Sequence, residues 1–313
     1  MEKRKYVIVS TIVTDNVTQP DGTFSGCYLG GAGTYALAGI RLWTPNAMIV
    51  AGIGEDFSDS YYTWFRRNSC SQKGMLVKDA HTAVSDVVYQ KDGERQETPE
   101  YGKEHYWKME ASAKELSPFL ENAKGVYIFK DLQKKFWEQV IEDHKKYRFS
   151  LMWELNAEIA VPERLEDVRK LAKHCELISM NEAEAQQLFG CADMEEVVKQ
   201  LLSWKIPVIY LRVGKKGAYI LAEGKIFYIP SVKNVKVADA TGAGNSSTAA
   251  VLYGYCEGAS PLQCGIMGSI SAARCIEQYG PPDLSEEKMK KARCTLEDIM
   301  QSLKEDENGK YEM

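Results

Sequence analysis

The sequence of 313 residues predicts a three-layer α/β/α fold with a mostly parallel central sheet. Apolar runs of strand length alternate with amphipathic segments of helix length between residues 113 and 180. Strands separated in this way pair in parallel, because the chain must cross over one face of the sheet before the next strand. Glycine-rich turns that each open a helix stand at residues 30–33 and 242–244. We expect one domain over residues 1–313.

The composition restricts the class of protein. Hydrophobic residues make up 44% of the chain and the net charge is -5, which is ordinary for a globular protein and gives no reason to expect nucleic acid. No run is long and apolar enough for a bilayer, and the charged start precedes a β-like run instead of a secretory signal. The eight cysteines and four histidines lack ligand spacing, so we expect reduced thiols and a cytoplasmic protein.

A buried strand and a helix are predicted first along the chain. Residues 5–13 are β-branched and almost continuously apolar, which suits a central strand buried on both faces. Asp15 follows at the strand end where open α/β sheets place ligands, although a turn-forming Asp explains it equally well. The pair Gly30 and Gly31 opens an alanine-rich helix, and Tyr35 in that helix brings a ring and a hydroxyl.

Residues 84–110 interrupt the alternating pattern. Residues 84–89 predict a strand, residues 91–95 a polar turn, and residues 101–107 combine aromatic with charged side chains. Together with residues 15–28 this segment could form a small β-sheet that covers a ligand. A surface hairpin followed by a loop is the alternative that the sequence leaves open.

The second half of the chain continues the α/β pattern. Strands are predicted at residues 125–129, 149–153 and 176–180, with helices at residues 131–145 and 163–174 between them. Glu154 stands at the end of one strand. Asn181 and Glu184 have the spacing of a capping box at a helix start. Residues 207–221 predict a strand, a turn with Gly214 and Gly217, and a second strand, with Arg212 just before the turn.

The turn at residues 239–247 precedes a run with the spacing of a buried helix. Three small residues, Gly242, Ala243 and Gly244, let the backbone turn tightly. The free N–H groups at such a helix start, at the positive end of the helix dipole, can bind an anion. A tight loop that only caps a core helix is the other interpretation.

This turn resembles the C-terminal signature of the PfkB, or ribokinase-like, carbohydrate kinases, Asp-(Thr/Ala)-Thr-Gly-Ala-Gly-Asp. Asp239 and residues 241–244 match, but Asn245 stands where the family has its catalytic base. An amide cannot accept a proton near neutral pH. The resemblance therefore predicts the kinase fold together with weakened or altered chemistry.

Further motifs follow in the family's order between residues 5 and 282. The start of the helix after Gly30 and Gly31 resembles Gly-Gly-x-x-x-Asn, with Tyr35 in place of the Asn, and residues 47–57 resemble the next segment. Asn-x-x-Glu recurs at residues 181–184, and the strand-turn-strand segment is similar to the family's nucleotide site, with Arg212 in place of Thr.

The resemblance implies a ribokinase-like fold with a β-sheet lid at approximately residues 15–28 and 84–110, and ATP and Mg²⁺ as cofactors. Members commonly dimerise through the lid, so a homodimer is a further expectation. It implies catalytic roles for Asn245, Asp239, Gly242, Ala243 and Gly244; substrate contacts for Asp15, Gly30, Gly31, Tyr35 and Glu154; nucleotide contacts for Arg212, Gly214, Gly217 and Thr241; and support of magnesium by Asn181 and Glu184.

Three functions agree with these motifs. The first is a sugar or nucleoside kinase whose base is compromised at Asn245 or replaced by Asp239, Asp15 or Glu154. The second is a different enzyme that cleaves a glycosidic or nucleosidic bond in the same pocket, and the third is a binding protein without turnover. Several other positions also depart from the family pattern, so we interpret Asn245 as native instead of engineered. Tyr35 and the aromatics of residues 101–107 favour a nucleoside as the substrate.

Overall fold

The computed structural model describes residues 6–90 and 95–305, with the side chains of residues 304 and 305 left out. The strands are β1 (Tyr6–Val9), β2 (Val13–Thr18), β3 (Phe24–Gly30), β4 (Ala47–Gly54), β5 (Met75–Asp79), β6 (Ala83–Tyr89), β7 (Arg95–Pro99), β8 (Gly125–Phe129), β9 (Ser150–Glu154), β10 (Leu177–Asn181), β11 (Val208–Arg212), β12 (Ala218–Ala222) and β13 (Lys225–Ile229).

The helices of the described chain are α1 (Ala32–Arg41), α2 (Asp59–Arg67), α3 (Gly102–Met109), α4 (Ala113–Leu116), α5 (Lys134–Tyr147), α6 (Leu165–Ala172), α7 (Glu182–Phe189), α8 (Met194–Ser203), α9 (Ala243–Cys256), α10 (Pro261–Cys275) and α11 (Glu286–Glu305). Single 3₁₀ turns lie at Ser117–Phe119, Pro162–Arg164 and Gly214–Lys216. In the described part of the chain, no helix has both the length and the apolar character needed to cross a bilayer.

The large sheet has nine strands in the order β13-β12-β11-β10-β9-β8-β1-β4-β5. All neighbours pair in parallel except β12, which is antiparallel to both β11 and β13. Such a sheet needs helices on both faces, because its strands expose apolar side chains to either side. The prediction of an α/β fold with a mostly parallel sheet is confirmed.

The two faces of the sheet carry separate hydrophobic cores. Along β1, Tyr6 and Ile8 belong to one core and Val7 and Val9 to the other, because successive side chains of a strand point to opposite faces. Helices α1, α2, α9, α10 and α11 cover the first face. Helices α4 to α8 cover the second face, which completes the three layers.

A separate sheet of four strands has the order β3-β2-β6-β7. It contains the two segments that were expected to form a lid, except that residues 102–109 form helix α3. Four residues of the predicted polar turn, 91–94, lie outside the described residues. The single strand predicted at residues 5–13 is wrong, because β1 ends at Val9 and Val13 already belongs to the small sheet.

The chain crosses between the sheets at Ser10 to Ile12, where the carbonyl of Thr11 accepts a 3.0 Å hydrogen bond from the N–H of Gly33. This bond connects the end of the first strand to the start of α1. As a consequence, Asp15 lies inside β2 of the small sheet and not at the end of a strand of the large sheet.

The carboxyl ends of the parallel strands bring the polar residues together. Glu154 ends β9, Asn181 ends β10 and Arg212 ends β11. Helix α9 begins near the same edge and contacts all three strands together with β8. Ligands of open α/β sheets bind at this edge, so the topology points to a site between these strand ends and the start of α9.

Candidate active site

The glycine turn lies at the start of α9 and borders the strand ends. Gly242 is the residue before the helix, with φ 75° and ψ -3°, a left-handed conformation that glycine adopts without steric cost. No side chain caps the helix, so its first N–H groups are free of the usual capping contact. Ala243, Gly244 and Asn245 are partly exposed and Ala240 is exposed, while the other residues of the turn are buried. The backbone therefore offers an anion-binding helix start at the edge of the sheet.

The side chain of Asn245 is held by two residues from neighbouring strands. Its Nδ2 donates to the hydroxyl of Tyr127 and to Oε1 of Glu154, both at 3.2 Å. Tyr127 in turn donates to Oε2 of Glu154 at 2.7 Å. Burial, followed by the Glu154 carboxylate, raises the pKa of Tyr127 well above its ordinary value. Glu154 is therefore a buried carboxylate that accepts hydrogen bonds at both oxygens.

Arg212 connects Glu154 to Glu184. Its Nη1 lies 2.9 Å from Oε1 of Glu154, and its Nη2 lies 3.5 Å from Oε2 of Glu184. Burial lowers the pKa of Arg212, but Glu154 and Glu184, together with two neighbouring tyrosines, raise it, and the net direction is upward. Burial raises the pKa of Glu184, and Arg212 partly offsets that rise. The guanidinium is thus a fixed positive charge between two acids.

The same guanidinium lies against the glycine turn. A Cβ atom added to Gly244 would stand 1.9 Å from Nη1 of Arg212, so any larger residue there would push the guanidinium away. At the other end of the turn, a Cβ on Gly242 would meet the ring of Tyr35 at 2.0 Å. The two glycines thus allow Arg212 and Tyr35 to approach the backbone from opposite ends of the turn.

Asn181 and Glu184 form the capping box that their spacing predicts. The side chain of Asn181 accepts from the N–H of Glu184 at 2.8 Å, and the side chain of Glu184 accepts from the N–H of Asn181 at 2.7 Å. Because Glu184 also pairs with Arg212, both side chains already have partners. The described residues contain no cluster of three acidic, histidine or cysteine side chains suited to a metal ion. As paired here, these two residues do not fit direct coordination of Mg²⁺. The support of magnesium through water that the resemblance implies stays a prediction.

Asp239 and Thr241 meet the hairpin of the small sheet. Oδ1 of Asp239 accepts from the N–H of Thr241 at 2.7 Å and from the hydroxyl of Tyr89. The hydroxyls of Tyr89 and Thr241 are 3.1 Å apart, and Arg95 donates to the Thr241 hydroxyl at 3.1 Å. Tyr89 ends β6 and Arg95 begins β7, so the small sheet contacts the glycine turn directly.

Asp15 and Tyr35 form the end of the site that faces the small sheet. Burial, followed by the Glu97 carboxylate, raises the pKa of Asp15 to about 8. A Cβ on Gly30 would lie 1.9 Å from Oδ2 of Asp15, so glycine at this position leaves room for the carboxylate. The Tyr35 side chain is only 3% exposed, because its ring packs on the glycine turn. Neighbouring Asp15 and Asp239 help to raise its pKa, after burial.

Gly31, Gly214 and Gly217 have backbone reasons for being glycine. Gly31 has φ 90° and precedes α1, with the Thr11 carbonyl 2.6 Å from where a Cβ would lie. Gly214 has φ 61° and faces open space, whereas at Gly217, with φ 109°, a Cβ would meet the Ile229 carbonyl at 2.1 Å. The last two shape the turn between β11 and β12, and their contact with a nucleotide stays a prediction.

The structure brings most of the candidate residues to one edge of the sheet, in two groups on either side of the glycine turn. Sequence reasoning missed Tyr127, Tyr89 and Arg95, which contact the candidates Asn245, Asp239 and Thr241. For Tyr127 the available signal was a polar group within an apolar strand that ends beside Glu154. Tyr89 and Arg95 flank a polar turn, where nothing in the sequence indicated a contact with residues 150 positions away.

The start of α9 lies at the carboxyl edge of the parallel sheet, beside the guanidinium of Arg212 and in contact with the small sheet. This is the arrangement of an α/β protein that has its site at the strand ends. The sequence pattern of the pfkB family of carbohydrate kinases matches residues 10–288. The match covers most of the chain, so this protein belongs to the pfkB family of carbohydrate kinases.

Relatives of known name agree with this family. An uncharacterized sugar kinase of Archaeoglobus fulgidus is 32% identical over 116 residues, which are 37% of this chain and 46% of that protein. This chain thus matches less than half of that relative's length. A nucleoside kinase of Methanocaldococcus jannaschii is 24% identical over 276 residues, covering 81% of this chain and 80% of that protein.

A solved structure shows the same fold. Adenosine kinase from Sinorhizobium meliloti superposes with a TM-score of 0.79 at 17% identity, covering 94% of this chain and 99% of that chain. The predicted ribokinase-like fold is therefore confirmed, with its large sheet and smaller separate sheet.

Proposed function

We propose that this chain is a sugar or nucleoside kinase that transfers the γ-phosphoryl group of ATP to a hydroxyl, with its chemistry altered at Asn245. The observation that carries the proposal is the position of the glycine turn between two groups of polar residues. On one side, Arg212 lies against Gly244 and pairs with Glu184. On the other side, Tyr35 lies against Gly242 with Asp15 near it. Phosphoryl transfer depends chiefly on positioning and on stabilising negative charge, and a helix start beside a guanidinium supplies both.

The transfer step makes a bond between the substrate hydroxyl oxygen and the γ-phosphorus, and it breaks the bond from the γ-phosphorus to the bridging oxygen of ADP. The hydroxyl proton must leave, and the amide of Asn245 cannot take it. Because Nδ2 of Asn245 donates to Tyr127 and Glu154, its Oδ1 remains to accept from the substrate hydroxyl and orient it. We assign the proton to Glu154, the carboxylate that contacts Asn245.

Replacing a direct base in this way makes the reaction slow. General-base catalysis typically contributes about 10²–10⁴-fold to a rate, so we expect a weak kinase. A requirement for Mg²⁺ stays a prediction. The ion would take most of its ligands from the phosphates of ATP, and the steps described above do not depend on it.

The substrate class proposed here is a nucleoside. The relatives named nucleoside kinase and adenosine kinase support it. So does the aromatic segment 101–107, in which Tyr101 and Trp107 are 41% and 47% exposed and Tyr106 hydrogen-bonds Thr11 at 3.1 Å. Titration of adenosine, inosine and free hexoses by calorimetry tests this part. Binding of hexoses alone would rule out a nucleoside substrate.

Binding without turnover is the second candidate, because the missing carboxylate at Asn245 removes catalysis more readily than it removes affinity. Cleavage of a glycosidic bond receives no support. That reaction needs two carboxyl groups on opposite sides of the bond that breaks. Glu154 and Glu184 instead lie together, because both pair with the one guanidinium of Arg212.

The test is a phosphoryl-transfer assay with ATP across nucleosides and sugars, combined with ATP binding, for the wild-type chain and for Asn245→Asp. Slow transfer by the wild type and a gain of about 10²-fold or more in the variant would support the kinase. ATP binding without transfer in either form would favour the binding protein. Absence of ATP binding in both forms would end the kinase proposal.

A homodimer through the small sheet is also proposed. Phe24 on β3 and Val88 on β6 are 58% and 39% exposed, which is unusual for large apolar side chains on a sheet. Sedimentation velocity tests it: we expect a dimer that Phe24→Asp dissociates, and a wild-type monomer at micromolar concentration would refute it.

A further inference from the structure

The candidate site contains two acids and one cation in an arrangement that the kinase family pattern does not explain. Glu154 is 1% exposed, Glu184 11% and Arg212 14%, measured on their side chains. The strands place them together, because β9, β10 and β11 are neighbours and Arg212 pairs in register with Asn181. Without Arg212, two buried carboxylates at adjacent strand ends would be suited to bind a divalent cation.

The guanidinium of Arg212 already occupies the place between these acids. It gives one nitrogen to each carboxylate, at 2.9 Å and 3.5 Å, so the charge that a divalent cation would neutralise is largely neutralised by the chain itself. Glu184 is further engaged by the N–H of Asn181. Neither acid is therefore free to ligate a metal unless Arg212 moves out.

Arg212 also reaches the anion-binding turn. Its Nη1 lies where a Cβ of Gly244 would be, and its buried Nε has no hydrogen-bond partner among the described residues. A guanidinium has five N–H donors in a planar fork that matches two oxygens of a phosphate. The two carboxylate contacts leave donors of this fork unused beside the turn.

We propose that Arg212 takes the place of a protein-bound divalent cation, supplying the fixed positive charge that holds nucleotide phosphates at the glycine turn. This inference rests on the proposed kinase function and specifies how its phosphate site works. It implies that a nucleotide triphosphate binds this chain with little dependence on Mg²⁺. The guanidinium of Arg212 is part of the chain and cannot dissociate, whereas a divalent cation would have to bind from solution.

The first experiment needs no variant. ATP binding is titrated by calorimetry against the full chain, once in saturating Mg²⁺ and once in EDTA. We expect the two dissociation constants to agree within about threefold. A wild-type chain that needs Mg²⁺ for more than about a tenfold gain in affinity would overturn the inference and leave the kinase proposal standing. No binding in either condition would overturn both.

The second experiment changes the cation. Arg212→Thr introduces the Thr that the family pattern has at this position. It leaves Glu154 and Glu184 close together without a positive charge between them. We expect ATP affinity in EDTA to fall more than about tenfold and Mg²⁺ to restore part of it. Arg212→Lys keeps the charge without the fork and should give an intermediate loss. An Arg212→Thr variant that melts cooperatively and binds ATP in EDTA as the wild type does would contradict the assignment.

Arg169→Thr is the matched control. Arg169 lies on α6, on the opposite face of the sheet from α9, and pairs at 3.7 Å with Glu166 on the same helix. Its loss removes an arginine and an ion pair without changing the site. We expect its ATP affinity to stay at the wild-type value both in Mg²⁺ and in EDTA. A loss equal to that of Arg212→Thr would mean that net charge alone explains the effect, which would overturn the inference.

Discussion

Replacing Asn245 by Asp tests the contact on which the description of the site depends. The substitution keeps the shape of the side chain but exchanges the Nδ2 donor for an anionic oxygen. That oxygen would stand about 3.2 Å from Oε1 of Glu154, where the wild-type chain has a hydrogen bond. One attractive contact in a buried network thus becomes a repulsion between like charges.

The size of this repulsion follows from Coulomb's law. Two unit charges at 3.2 Å repel by about 5 kcal/mol at an effective dielectric constant of about 20. Arg212, at 2.9 Å from the same oxygen of Glu154, offsets part of it, and uptake of one proton by the pair limits the rest. We expect Asn245→Asp to lower the free energy of unfolding by about 2–4 kcal/mol at pH 7.5.

The loss depends on pH in a defined direction. In the folded variant the two carboxylates retain one proton that the unfolded chain, whose carboxyl groups titrate near pH 4, has already released. Folding therefore takes up a proton, and the stability of the variant falls relative to the wild type as the pH rises from about 5 to 8. Near pH 4 the difference should vanish, because the unfolded chain is then protonated as well.

Urea unfolding at several pH values between 5 and 8 measures this difference. The charge-matched control combines Asn245→Asp with Glu154→Gln, which again leaves one carboxylate and one amide at the contact and should recover most of the loss. A single variant that stays within about 0.5 kcal/mol of the wild type at pH 8 would show that Asn245 and Glu154 do not meet in solution.

Three further predictions concern other parts of the site. Burial raises the pKa of Asp15 to about 8 in the folded chain, far above that of an unfolded aspartate. Between pH 5 and 8 the wild-type free energy of unfolding should therefore fall by up to about 1.4 kcal/mol per pH unit relative to Asp15→Asn. If urea unfolding gave both proteins the same dependence on pH, the raised pKa would be refuted. Gly242→Ala should lower the free energy of unfolding by about 2–4 kcal/mol, because the added methyl group meets the ring of Tyr35. The control Gly258→Ala, at a similar φ of 78° but in open space, should lower it by about 1–2 kcal/mol. Equal losses in thermal melts would exclude a clash with Tyr35. Tyr89→Phe should lower stability by about 1–2 kcal/mol and speed hydrogen exchange in β6 and β7, and unchanged exchange would mean that the contact with Asp239 does not hold the hairpin.

The order of elements could be predicted from the sequence because each element carries its own local signal. Residues 125–129 are a strand as predicted, and the capping box of Asn181 and Glu184 forms as its spacing indicates. The first strand was predicted too long, since β-branched residues continue from β1 into β2 without a break in hydrophobicity. Local composition does not report that the chain changes from one sheet to the other at residues 10–12.

The candidate site was predictable only in part. The sequence indicated an anion-binding turn at residues 242–244 and marked Asn245, Glu154 and Arg212 as departures from the family pattern. It left open whether Arg212 faces a phosphate or an acid, because a side chain of that length can reach several partners. Its contacts with both Glu154 and Glu184 depend on the order of three neighbouring strands, which is a property of the assembled sheet.

Local chemistry thus determined the α/β class, the glycine turn and the amide side chain at residue 245, since each depends on a few adjacent residues. The tertiary structure decided which charges face one another. It placed a guanidinium between two carboxylates and brought Tyr89 of the small sheet to Asp239, because strand order and the packing of α9 set those distances.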